Sequence, residues 1–142
     1  MTSTIERLHW KDAPDIWAPF IPIVKVSGGT TIYLAGTTAA PMYHHHPHRP
    51  EEFESIPDDM EGQTHEVLNK IKKSLETAGA SLKNVVSADR YLKNIDDQDV
   101  LNRIWEETFG DNRPATTTVQ IQRLAAHPKL LLEVTVIAVI DE

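Results

Sequence analysis

The run "GQTHEVLNKIKKSLETAGASLKNVVSADRYLKN" (Gly62–Asn94) decides the fold, because the period of its apolar residues changes partway along. In the first half Val67, Leu68, Ile71, Leu75 and Ala78 recur at the spacing of one helical face. Lys70, Lys72 and Lys73 fall away from that stripe, and Gly79 supplies a C-terminal stop. The second half, "NVVSADRYLKN", reads as a strand. Downstream, "DDQDVLNRIWEETFG" predicts a second helix. Asp96 or Asp97 is its expected cap, Val100, Leu101, Ile104, Trp105 and Thr108 its buried stripe, and Gly110 its end. "ATTTVQIQRL" and "KLLLEVTVIAVI" follow as two strands separated by "AAHP". Upstream, "IPIVKVSGGTTIYLAGTTAAP" reads as a hairpin, with Val24, Val26, Ile32 and Leu34 flanking the turn Ser27-Gly28-Gly29. The order β-β-α-β-α-β-β predicts an α+β architecture, a mixed sheet with two helices packed on one face. The 142 residues suit one domain spanning 1–142.

Composition removes several function classes. There is no cysteine, which excludes disulfides, thiolate nucleophiles and zinc–cysteine sites. The net charge of −7 opposes a nucleic-acid backbone. No apolar run reaches membrane-spanning length, and "MTSTIERLHWKD" lacks the apolar centre of a signal peptide. A cytoplasmic protein with no membrane or nucleic-acid partner and no cofactor is the expectation.

Strand alternation selects the site candidates. In "TTTVQIQ" one face carries Thr117, Val119 and Ile121, and the other Thr116, Thr118, Gln120 and Gln122. The apolar set is expected to meet the helices and the polar set a cleft, solvent or another subunit. Threonine is also a good strand former, so the triplet has a purely structural reading. In "LLEVTVIAVI", Leu132, Val134, Val136 and Ala138 share one face, and Glu133 and Thr135 the other. Glu133 is either a solvated outer-face acid or an acid/base whose pKa is raised by apolar neighbours.

The segments "APFIPIVKV", "IYLAGTTAAP", the helix–strand–helix run 63–110, "RPATTTVQIQRL" and "LLLEVTVIAVI" together resemble the RidA/YjgF family, also labelled L-PSP endoribonuclease. The resemblance covers about Ala18 to Ile140. It implies a homotrimer with clefts between subunits, and deamination of a small-molecule imine or enamine by water addition. Larger unsaturated substrates, as for the family's 2-aminomuconate deaminases, are implied as possible members of the class. The family's site positions fall on Phe20 (its aromatic), Ala35 beside Gly36 (its serine–glycine), Asn102 (its helix asparagine) and Thr118 (its cysteine). Its strand carboxylate falls on Glu133. The arginine that clamps a substrate carboxylate falls on Thr116. Threonine cannot form the bidentate pair, so a remodelled cleft and a divergent subgroup are implied.

Three further features stand outside the motifs. Arg90 is an inward strand arginine on the face of Ala88 and Leu92, readable as an ion pair or as a relocated anion clamp. Trp17 is readable as a cleft wall or as core. The stretch 41–62 reads as a long loop rich in histidine, proline and acids, and as a lid over the cleft. Its His44, His45, His46 and His48 offer metal ligands, but contiguous histidines on a flexible loop are not expected to converge, so no metal is expected. The function is then a C–N hydrolase, or alternatively a non-catalytic trimer that binds a small ligand or shields unfolded clients.

Overall fold

The computed structural model, which describes residues 2–141, starts helix α1 (Met60–Thr77) two residues before Gly62. Asp59 sets the start: its carboxylate accepts from the Gly62 amide at 2.8 Å and caps the helix. The chain leaves α1 through Gly79, whose φ of +79° suits glycine. Strand β5 (Val85–Leu92) follows, then α2 (Gln98–Phe109), β6 (Ala115–Gln120) and β7 (Leu132–Ile140). Neither Asp96 nor Asp97 caps α2 with its side chain. A short 3-10 turn (Ile95–Asp97) leads into the helix, and Asn94 caps that turn by accepting from the Asp96 amide.

Upstream lie β1 (Thr4–Leu8), β2 (Ile23–Ser27), β3 (Thr30–Tyr33) and β4 (Thr37–Thr38). The main sheet runs β3-β7-β5-β6, with β4 also paired to β7. It is mixed: β5 and β6 are parallel, joined by the α2 crossover that such pairing requires, while β7 is antiparallel to β5 and β3. The expected architecture of a mixed sheet with two helices on one face is what the chain forms.

The expected hairpin is not. Gly28 and Gly29 do turn the chain, with φ of +70° and +80°. However, β2 pairs with β1 (Ile5 opposite Val26) and β3 pairs with β7 (Ile32 opposite Ala138). The turn passes the chain from one sheet to another. Arg7 ties the small sheet down by donating to the carbonyls of Arg113, Lys83 and Val85, each at 3.0 Å.

One apolar core joins the helices to the inner sheet face. Val67, Leu68, Ile71 and Leu75 of α1 and Leu101, Ile104, Trp105 and Phe109 of α2 pack on Ala88, Leu92, Leu132, Val134, Val136 and Ala138. Truncating any of these leucines to alanine costs on the order of 2–5 kcal/mol. Trp17 also packs against this core. The stretch 41–62 is anchored in its later half. Phe53 and Ile56 enter a second cluster with Ala39, Ala40, Leu124 and Leu130, and a 3-10 turn forms at Pro50–Phe53. No described helix is long and apolar enough to cross a membrane.

Candidate active site

Strand β7 presents Glu133 on the sheet face away from the helices, because its neighbours Leu132 and Val134 are committed to the core. Register places Thr38 of β4 on one side of Glu133 and Tyr91 of β5 on the other. The Glu133 side chain lies across Gly36: a Cβ there would sit 2.3 Å from Glu133 Oε2. Glycine at 36 is thus the condition for the carboxylate's position. A cavity of about 140 Å³ opens there, walled by Gly36, Thr38, Ala40, Pro41, His44, Ala126 and Glu133 among others.

The rim is held from the helix layer. Lys70 of α1 donates to the carbonyls of Thr38 (3.2 Å) and Ala40, and the Ala40 amide donates to Thr38 Oγ1 at 3.1 Å. Thr37 Oγ1 donates to the Ala35 carbonyl at 3.1 Å, fixing the turn that carries Ala35 and Gly36. Desolvation lowers the Lys70 pKa, with nearby Glu66 opposing that shift. Glu133 is half-buried, and its carboxylate has no hydrogen bond or ion pair among the described residues. Burial pushes its carboxyl above the usual carboxylate range. A half-desolvated carboxylate facing a small cavity is chemically a proton acceptor for a water or ligand bound there.

Strand β6 reverses the expected faces. Its parallel register sets Thr116 beside Ala88 and Thr118 beside Arg90, so the threonine row looks toward the helices. Val119 is 40% exposed and Thr117 is exposed. The reason is Arg90. This guanidinium is 1% exposed, lies 4.9 Å from the Trp105 ring centre, and needs a polar neighbour. Thr118 Oγ1 accepts from Arg90 Nε at 2.8 Å, which leaves the threonine proton free to donate elsewhere. Asp89 points to the opposite face, and Arg90 has no ion pair among the described residues. Desolvation brings its pKa down to about 10, and Nη1 has no partner. Asn102, three residues before Trp105 on α2, has a buried Oδ1 that is likewise unpartnered. Thr116 Oγ1 donates to the Pro114 carbonyl at 2.9 Å.

Two groups therefore emerge within one chain. Glu133 and Gly36, with Ala35 adjacent, define the outer-face cavity. Thr116, Thr118, Arg90 and Asn102 lie on the helix side of the sheet near its β6 edge. Trp17 is a core residue whose ring faces the Arg113 guanidinium at 5.6 Å. Phe20 is 43% exposed and lines a separate apolar groove with Trp10, Ile16 and Pro22. Sequence reasoning missed Tyr91, Thr38, Lys70 and Arg113. Arg113 is buried and donates to the Ala18 carbonyl at 2.7 Å, pinning the segment that carries Trp17 and Phe20 to the start of β6. The tyrosine could have been found by alternation, since it must face away from Arg90 and Leu92.

The histidine run departs from expectation. His44, His46 and His48 converge, with one ring nitrogen of each within 4.8 Å of the others. His45 turns away: its amide and Nδ1 both engage Glu52 Oε1, at 3.1 and 3.0 Å. Those contacts, the His45 amide hydrogen bond foremost, lower the pKa of Glu52.

A mixed sheet with both helices on one face, an opposite face bearing a lone carboxylate, and an edge strand of threonines defines a small two-layer α+β protein. Residues 10–140 match the family model described as Endoribonuclease L-PSP, and the chain belongs to that family, RidA/YjgF. A RutC family protein of Pyrococcus abyssi is 36% identical over 134 residues, 94% of this chain and 95% of its own length. A Rid family protein of unknown function, YyfB from Yersinia pestis, superposes with a TM-score of 0.76 over 99% of this chain and 100% of its own. At 24% identity that likeness speaks for the fold alone. RidA from an Antarctic Psychrobacter gives 0.66 at 26% identity, covering 95% and 99%.

Proposed function

We propose that the chain is a hydrolase of imines, enamines or related C–N bonds of small metabolites, working as a homotrimer. The observation that carries this reading is Glu133: a half-buried, unpaired carboxylate with a raised pKa, held against Gly36 at a cavity. In the proposed reaction Glu133 takes a proton from a bound water as its oxygen bonds to the C=N carbon. The π electrons move to nitrogen, which takes that proton from Glu133 to give a carbinolamine. Glu133 then removes the carbinolamine hydroxyl proton and passes it to nitrogen as the C=O bond forms and the C–N bond breaks, leaving a carbonyl product and ammonia.

The trimer supplies what one chain lacks. Strand β6 is an edge whose outer side is open to a neighbour, and the sheet's outer face carries half-buried Glu133, Thr135 and Tyr91. A cleft between subunits would join Glu133 of one chain to Thr116, Thr118 and Asn102 of the next. Thr117 and Val119, exposed on the outer side of β6, favour a neighbouring chain packing there. In this reading Arg90 acts as a positioning residue, aiming the Thr118 hydroxyl. With Thr116 at the clamp position, substrates that depend on a carboxylate clamp are disfavoured. Losing such a contact costs on the order of 2–5 kcal/mol, roughly tens to thousands of fold.

The test is ammonia release from a panel of imines and enamines, with 2-iminopropanoate as the small carboxylate member and aminomuconate-like compounds as larger ones. Turnover of a larger member with weak activity on 2-iminopropanoate is expected. No ammonia from any member would overturn the hydrolase reading, and full activity on 2-iminopropanoate would overturn the part assigned to Thr116.

A further inference from the structure

We infer that His44, His46 and His48 form a binding site for a divalent first-row transition ion that favours imidazole, such as zinc, with the fourth position left to water. This stands apart from the hydrolase reading. The chain bends at His46–Pro47, between the second and third of these histidines, and the three rings gather while His45 turns to Glu52. Their rings form a near-equilateral group, with centroids 4.7, 5.1 and 5.1 Å apart. The candidate nitrogens lie within 4.8 Å of one another. Tetrahedral zinc at ~2.1 Å from each nitrogen needs them about 3.4 Å apart, a contraction that ring rotation can supply. His46 and His48 are exposed and free to make that rotation.

Two features distinguish this group from a loose histidine tract. His44 Nδ1 lies 2.8 Å from the Pro41 carbonyl, which can only accept. Nδ1 therefore carries the proton, and Nε2 keeps the lone pair a metal requires. A backbone carbonyl in that position is the usual outer partner of a metal-bound imidazole. The second feature is the floor. Phe53 packs edge-on against His44 at 5.1 Å and His48 at 5.3 Å, and is itself buried and stacked on His127 at 5.4 Å. The rings thus rest on a side chain fixed in the second apolar cluster. His44 also lines the Glu133 cavity, so a bound ion would stand at its wall.

The experiment is calorimetric titration of the full, untagged chain with zinc, alongside His46→Ala, His48→Ala and His45→Ala. One ion per chain is expected at micromolar zinc. Loss of an outer partner alone typically weakens a metal site ~10–100-fold, so removing His46 or His48 should weaken it at least tenfold. His45→Ala should bind as the native chain does. Because positions 45, 46 and 48 are all exposed, none of these variants threatens folding. Absence of binding at micromolar zinc overturns the proposal. So does equal weakening by His45→Ala and His46→Ala, the mark of an unstructured histidine tract.

Discussion

Replacing Gly36 with alanine should remove activity without weakening the fold. A Cβ at this position would lie 2.3 Å from Glu133 Oε2 and 3.0 Å from Cδ. Ordinary contact begins near 3.4 Å, so the carboxylate must retreat by about 1 Å. The atoms it meets are the far end of a flexible side chain, and Gly36 does not have positive φ. The backbone therefore accepts alanine. Where that holds, Gly→Ala stabilises by about 0.4–1 kcal/mol through the unfolded chain, offsetting the small cost of moving Glu133. Misplacing a reacting group by 1 Å can cost ~100-fold in rate. The expected result is thermal stability unchanged within a few degrees and turnover lowered about 100-fold on whichever panel member the native chain deaminates. Native turnover in Gly36→Ala would refute the reasoning that Glu133 acts from this position. A collapse in stability would refute the reading that the clash is relieved by the side chain alone.

Other consequences can be checked separately. Sedimentation should give three times the 16.0 kDa chain mass; a stable monomer that keeps full turnover would remove the shared cleft. Thr118→Val leaves Arg90 Nε without its acceptor and should destabilise by about 1–3 kcal/mol. Adding Arg90→Met should recover most of that loss, since a buried unpaired cation is then gone; denaturant melts of the single and double variants decide it. Burial raises the Glu133 carboxyl above its ordinary 4.5. Such a group favours folding only while protonated, and its contribution is lost as pH rises from the unfolded value through the folded one. Glu133→Gln should therefore melt at a higher temperature than the native chain near neutral pH, the gap closing toward about pH 4.

What could be read from sequence was what is encoded locally. The stripes of Val67, Leu68, Ile71 and Leu75 and of Leu101, Ile104 and Trp105, and the inner row Leu132, Val134, Val136, Ala138, are written in residue spacing. They carry the helix–sheet layering and leave Glu133 on the opposite face. Pairing partners are not written that way. Gly28–Gly29 mark a turn, but whether Val24 and Val26 meet Ile32 or the distant Thr4–Leu8 depends on which edge is free in the folded chain. The β6 faces were misread because Thr116, Thr117 and Thr118 give no contrast along the strand. Their orientation is fixed by Arg90 on the neighbouring strand. The histidine convergence has the same non-local origin, in the Pro41 carbonyl and the buried Phe53 ring. Within the candidate site, Glu133 and Gly36 were legible as types and positions; the contact between them was not.

The most direct measurement is turnover of Glu133→Gln on whichever panel substrate the native protein is found to hydrolyse. Glutamine keeps the shape and removes the base. Since a positioned base contributes roughly 100- to 10,000-fold, turnover should fall by that order, with substrate binding and trimer mass little changed. Full turnover in Glu133→Gln would contradict the account at its centre.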